Sequence, residues 1–227
     1  MQRVTTGVRG EKMNREQGES ELRKSIIDIG KRMWAKGFVA ANDGNISVRI
    51  GENMLLTTPT GVSKGFMTEE MILTVTLDGE VISGETPYRP SSEIRMHLQV
   101  YRDRKDVNAV VHAHPPHATS FAVAGIPLDQ GILPEAVLTL GNVPLAAYAT
   151  PSTEEVPEAI RAHIQVSDAI LLSNHGALTL GPDLLSAWFR METLEHTAHV
   201  THLAMGLGTL NRIPEGKIEQ LMRLKSI

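Results

Sequence analysis

Three histidines and one glutamate are the residues of this chain best suited to chemistry. His112 and His114 close an apolar run over residues 107–111, just before Pro115 and Pro116. His175 interrupts a second apolar run over residues 170–180 and is followed by Gly176. Glu93 follows Pro90, Ser91 and Ser92. Residues two apart in a strand share a face, roughly 6.6 Å apart, so His112 and His114 can converge on one ion. His175 is the candidate third ligand, because the glycine beside it lets the backbone turn sharply and present the imidazole. Three neutral imidazoles hold a divalent cation and leave one coordination position for an oxygen-bearing substrate, the form of a catalytic rather than a structural site. Glu93 falls in the first turn of a predicted helix. The helix N-terminus and a nearby cation both favour its ionised form, which a general base needs. Against a bare metal it could also coordinate until substrate displaces it.

The other histidines have plainer readings. His196, His199 and His202 recur every third residue, a spacing that drifts around a 3.6-residue helix, so no second metal site is expected there. His97 and His163 read as ordinary helix residues. His117 is close enough in sequence to the ligand pair to line the site.

Small donors gather at predicted turns: Gly44-Asn45, Thr58-Pro59-Thr60-Gly61 and Ser91-Ser92. Two serines at a helix N-terminus offer hydroxyls and unpaired N–H groups with the positive end of the helix dipole behind them, which suits a phosphate. No P-loop or Rossmann glycine pattern is present, so a nucleotide is not expected.

The elements that must position these groups follow from periodicity. A first helix is predicted over about residues 20–36 from Leu22, Ile26, Ile29 and Met33, with Gly37 as its stop. Strands are predicted over residues 46–50 and 54–58, and a hairpin turns at Asp78-Gly79 between residues 72–77 and 80–82. A helix opens at Pro90-Ser91-Ser92-Glu93, with Ser91 or Ser92 as N-cap. Residues 107–114 form a strand, and Ser152-Thr153-Glu154-Glu155 is a capping box for a helix to about Ile164. Residues 169–180 read as a strand pair broken at Asn174-His175-Gly176. Helices follow over about residues 183–207 and from near Pro214. Residues 1–18 read as a flexible N-terminal arm and residues 19–227 as a single mixed α and β domain.

Composition narrows the classes. The chain has 227 residues with 41% hydrophobic and 21% charged residues, enough for an ordinary core. A net charge of -4 carries no basic excess for nucleic acid or a membrane surface. The absence of cysteine removes disulfides and thiolate metal sites. Neither a signal peptide nor a membrane span is expected, and the reading is a soluble, cytoplasmic protein.

Taken in order, Gly44-Asn45-Ile46-Ser47, Thr58-Pro59-Thr60-Gly61, Ser91-Ser92-Glu93, His112-Ala113-His114-Pro115 and Asn174-His175-Gly176 resemble the class II aldolase family of L-fuculose-phosphate aldolase and L-ribulose-5-phosphate 4-epimerase. The resemblance covers about residues 20–210. It implies a three-layer α/β/α domain with a central, largely antiparallel sheet, and a homotetramer with active sites at subunit interfaces. By position it implies that His112, His114 and His175 bind zinc, or manganese, cobalt or another divalent ion. Gly44, Asn45, Thr60, Gly61, Ser91 and Ser92 would hold a substrate phosphate, and Glu93 would be the acid/base. The epimerase branch carries Asp at that position, so Glu93 favours an aldolase. The implied reaction is reversible cleavage of a ketose 1-phosphate, L-fuculose 1-phosphate or a 5-deoxy- or methylthio-pentulose 1-phosphate, to dihydroxyacetone phosphate and an aldehyde.

Two departures concern the aldehyde end. The fuculose-phosphate aldolase pattern has a tyrosine where this chain places Glu135, and another near the C-terminus, whereas residues 211–227 contain none. Alternative readings are a sugar-phosphate 4-epimerase, a methylthioribulose-phosphate dehydratase and, outside enzymes, an adducin-like interaction module. The last resembles this fold but lacks the complete set of histidines and glutamate.

Overall fold

The computed structural model describes residues 5–82, 86–128 and 131–224. In chain order the elements are α1 (Thr5–Ala35), β1 (Asn45–Gly51), β2 (Met54–Thr57), β3 (Leu73–Thr76), α2 (Ile94–Asp103), β4 (Ala109–Ala113), α3 (Pro116–Ala124), α4 (Pro134–Thr139), β5 (Leu145–Ala146), α5 (Glu155–Ile164), β6 (Ala169–Leu172), β7 (Gly176–Gly181), α6 (Leu184–Leu207) and α7 (Glu215–Leu224). Among the described residues the strands form one sheet in the order β3-β2-β1-β4-β7-β6-β5. Every neighbouring pair is antiparallel except β5 with β6.

The sheet is buried on both sides, which strand alternation makes visible. Ala109 and Val111 of β4 point to one face with Ile46, Leu171 and Ala177, under Met33 of α1 and Trp188 and Met191 of α6. Val110 points to the other face with Leu55, Ile170 and Leu178, under Met96 and Tyr101 of α2 and Ile160 of α5. His112 has the parity of Val110. It therefore emerges on the face that carries α2, whose first residue follows Glu93. Burial of apolar residues on both faces is what the continuous apolar runs of β4 and β6 require, and it yields the three layers α/β/α.

Local chemistry sets the ends of the elements. Pro115 cannot extend the β4 ladder, and Pro116 opens α3, where its missing N–H costs nothing. The buried Glu195 carboxylate of α6 accepts from the backbone N–H of His117 at 3.0 Å and of Ala118 at 2.8 Å, capping α3 from a neighbouring helix. Asp183 caps α6, accepting from Ser186 N at 2.7 Å.

Several predicted boundaries shift. The first helix starts at Thr5, so it takes in most of the stretch read as an arm; residues 1–4 of that arm lie outside the described residues. Residues 5–18 contain no proline and several good helix formers, so a helix anchored by Ile26, Ile29 and Met33 can propagate backwards. The α5 helix starts at Glu155, and its capping-box reading is replaced by a different pairing. Thr153 Oγ1 accepts from Glu155 N at 3.2 Å, and Glu155 Oε2 accepts from Thr150 N at 2.8 Å. The predicted strand over residues 80–82 is reduced to a bridge between Val75 and Val81 with the hairpin hydrogen bonds intact. The short helices α3 and α4 have too few residues to show a period and were not foreseen.

Candidate active site

Three separate segments place the histidines. His112 sits in β4, opposite Asn45 on β1 and Leu178 on β7. His114 lies just beyond the strand, fixed by its N–H donating to Phe38 O at 2.9 Å. His175 occupies the turn between β6 and β7. That turn tightens because Asn174 adopts a left-handed φ of 56° and His175 N donates to Leu172 O at 3.0 Å. The three rings stand 4.8–4.9 Å apart between centroids, and one nitrogen from each falls within 4.8 Å of the others.

Tautomers follow from the partners. His112 Nδ1 lies 2.9 Å from Ala177 O. A carbonyl only accepts, so Nδ1 carries a proton and the Nε2 lone pair is free. Nε2 then faces His114 Nε2 at 3.1 Å and Glu93 Oε2 at 3.2 Å. His175 Nε2 faces Glu93 Oε1 at 3.1 Å. Acceptors this close need a positive charge between them, either protons or a metal ion. The donor set of three imidazoles fits a divalent ion, with Glu93 at its open side. Asp43 Oδ2 stands 3.5 Å from His114 Nδ1, where it can orient that ring as an outer carboxylate.

Electrostatics agree with this arrangement. Burial pushes the Glu93 carboxyl up, but His112 and His175 beside it outweigh burial and hold it well below the usual carboxylate range. Burial disfavours a charged His112, yet Glu93 and the Ala177 carbonyl raise it. His114 is lowered to about 3 by burial and by His112 and His175, so it stays a neutral imidazole, the form that could bind a cation.

Glu93 is the N-cap of α2, one position before the helical turn in which the sequence placed it. Neither serine is the N-cap expected of the pair: the Glu93 N–H donates to Ser91 Oγ at 3.3 Å, a turn bond that closes just before the helix instead of capping it. Asn45 Nδ2 donates to Glu93 Oε2 at 3.0 Å. Asn45 lines one cavity with Thr60, Ser91 and Ser92; its amide nitrogen orients the carboxylate, and among the described residues its buried Oδ1 has no hydrogen-bond partner. Gly44 has a φ of 71°, and a Cβ there would stand 2.9 Å from His112 O, so the turn before Asn45 has no room for a side chain.

A cavity of about 200 Å³ opens over these groups, lined by Asn45, Thr60, Ser91, Ser92, Glu93 and His175 among others. Two backbone contacts join its loops: Thr60 N donates to Arg89 O at 2.9 Å and Ser91 N to Thr58 O at 3.3 Å. Thr60, Ser91 and Ser92 therefore stand together as expected. Gly61 does not line the cavity; it turns the chain behind Thr60 with a φ of 71°. His117 turns away from the cavity and stacks on His199 at 3.9 Å. Glu135 is exposed in α4 and does not line the cavity either. Sequence reasoning missed Asp43 and Lys64, both of which line it. Asp43 had only a turn signal, and nothing in the sequence marks the burial of Lys64.

The same fold recurs in known proteins. An L-fuculose 1-phosphate aldolase structure superposes with a TM-score of 0.84 at 29% identity, covering 91% of this chain and 97% of that one. The family profile described as Class II Aldolase and Adducin N-terminal domain matches residues 24–202. The chain belongs to this class II aldolase family. Among its relatives, an L-fuculose phosphate aldolase of Methanococcus maripaludis is 34% identical over 182 residues, 80% of this chain and 97% of that protein. A 3-oxo-tetronate 4-phosphate decarboxylase of Escherichia coli O6:H1 is 31% identical over 207 residues, 89% of this chain and 96% of that protein.

Proposed function

We propose that this protein is a divalent-metal-dependent lyase that cleaves a carbon–carbon bond in a sugar phosphate and releases dihydroxyacetone phosphate. The observation that carries the reading is the Glu93 carboxylate, 3.1–3.2 Å from two of three converging histidines and opening onto the cavity that holds Ser91, Ser92 and Thr60. His112, His114 and His175 would hold the ion, zinc being the expected one. When bound it supplies Lewis-acid polarisation of a carbonyl oxygen. Ser91, Ser92 and Thr60 anchor the phosphate and fix the distance from it to the reacting carbon. Glu93, oriented by Asn45, returns a proton to the carbon left by bond cleavage.

Two substrates fit this half-reaction. Retro-aldol cleavage of a ketose 1-phosphate, such as L-fuculose 1-phosphate or a 5-deoxy- or methylthio-pentulose 1-phosphate, yields dihydroxyacetone phosphate and an aldehyde. Decarboxylation of a 3-oxo-tetronate 4-phosphate yields the same phosphate and carbon dioxide. The second reading is favoured by a specific feature. Aldehyde release requires a base to take the hydroxyl proton of the leaving fragment, whereas carbon dioxide leaves without one. Glu135 stands where the fuculose-phosphate aldolase pattern has a tyrosine, and residues 211–227 contain no tyrosine. The complete histidine and glutamate set argues against an adducin-like module without catalysis, and Glu93 against a 4-epimerase.

The test is a panel of ketose 1-phosphates and a 3-oxo-tetronate 4-phosphate, assayed for dihydroxyacetone phosphate with and without chelator and zinc. Aldehyde or carbon dioxide as coproduct separates the two reactions. Release of neither from any substrate, at one metal ion per chain, overturns the reading. Glu93→Gln is expected to keep its metal and lose at least about a hundredfold in turnover; undiminished turnover at verified metal content removes the role given to Glu93. A homotetramer with interfacial sites is part of the proposal. Exposed Phe189, Leu203 and Leu207 on α6 are apolar surface that a second copy would cover, and a light-scattering mass of a single chain would refute it.

A further inference from the structure

The donors that the cavity offers to a phosphate through Thr60, Ser91 and Ser92 are all neutral. A phosphate monoester carries about −1.5 to −2 charge at neutral pH, and the nearest charged side chains named so far, Glu93 and Asp43, are negative. One further residue lines the same cavity. Lys64 is only 1% exposed, a rare state for a lysine. Its ammonium donates to Asn42 O at 2.9 Å and to Val62 O at 2.7 Å. Those carbonyls belong to the two loops that frame the cavity, one leading into Asn45 and the other following Thr60. An ammonium has three donors, so one N–H is left over. Among the described residues no carboxylate lies within ion-pair distance of it.

A buried cation without a counter-ion costs several kcal/mol in desolvation. Backbone carbonyls offset part of that cost, and an anion arriving in the cavity would offset the rest. Burial lowers Lys64 to about 8, against the raising pull of Asp43 and Glu93, so the ammonium is still mostly protonated at neutral pH. Charge, burial, loop contacts and position thus point the same way.

We propose that Lys64 is the cationic anchor of the anion pocket: it ties the two loops together and supplies the positive charge that holds the substrate phosphate. The proposal rests on the preceding reading only in taking the ligand to be a phosphate ester, and it concerns binding rather than bond cleavage.

The probe is inorganic phosphate, titrated calorimetrically into the full chain in zinc-loaded and chelated forms. Lys64→Gln keeps hydrogen-bond donors for the loop carbonyls but removes the charge; Lys64→Arg keeps the charge. Removing a charge-assisted bond of this kind is expected to weaken phosphate about tenfold or more in Lys64→Gln, with Lys64→Arg within about threefold of the parent. In steady state the same loss should fall on KM more than on kcat. Thermal melts verify folding, and Lys64→Met replaces Lys64→Gln if the buried amide prevents it. Parent-like phosphate affinity in the neutral variant overturns the proposal. So does equal weakening in the glutamine and arginine variants, which would make Lys64 a loop clamp alone, and so does failure of the parent to bind phosphate. Because binding is read without turnover, a protein that cleaves no substrate on the panel leaves this result standing or falling by itself.

Discussion

At the scale of single residues, the site depends on polar groups buried behind it as well as on those facing the cavity. His97, on α2 one turn after Glu93, is fully buried; its Nδ1 lies 2.6 Å from Ser47 Oγ, which in turn lies 2.9 Å from Tyr101 Oη. Burial, with a smaller push from His112, lowers His97 to about 3. The unfolded chain titrates near the ordinary histidine value of about 6.5. Above that pH neither state carries the proton. Below it the unfolded state binds a proton that the native state refuses, so stability falls as pH falls from about 6.5 towards 3. At pH 5 this amounts to about 2 kcal/mol. Denaturant unfolding of chelated protein should show the parent losing about that much more between pH 7 and pH 5 than His97→Gln does. Parallel losses would show that His97 takes up its proton in the folded state.

At the scale of elements, the placement of the proposed metal ligands depends on how closely β4 and β7 approach. Gly176 begins β7 directly after His175. A Cβ there would stand 2.5 Å from Ala113 O and 2.6 Å from His114 Cδ2. Gly176→Ala therefore pushes between the strand that carries His112 and the ring of His114, with no flexible side-chain end able to give way on the backbone side. Overpacking of this kind costs about 1–3 kcal/mol. Zinc affinity should fall at least about tenfold, because the displaced ring belongs to the proposed ligand set. Competition with a chromophoric chelator measures it, and unchanged zinc affinity would mean that the β4–β7 contact can widen without moving His114.

At the scale of the whole molecule, an ion held, as proposed, by β4, the segment after it and the β6–β7 turn would join parts of the chain that are far apart in sequence. Anything that binds only the folded state stabilises it, by about 2.7 kcal/mol at a hundred times its dissociation constant. For a chain of this size that corresponds to a rise in Tm of roughly 5–10 °C on adding zinc to chelated protein. His112→Ala should abolish the response. A zinc-induced rise that survives in His112→Ala would place the stabilising ion elsewhere.

The sequence by itself determined the chemistry and the order of its parts. Residue type and local spacing are enough to mark His112 and His114 as a pair, His175 as a turn residue beside a glycine, Ser91 and Ser92 as a helix opening, and the apolar runs of β4, β6 and β7 as buried strands. Each of those signals spans only a few residues, which is the range over which periodicity and capping act. Whatever depends on contact between distant segments was decided only in the tertiary structure. Asn45 reaches Glu93 across 48 positions and is thereby drawn to the carboxylate. Glu195 caps a helix 77 positions away, and His117 turns towards α6 because that helix packs there. Lys64 reads as an ordinary loop lysine until two loops close over it. Burial and partnership are properties of packing, and no local pattern encodes them.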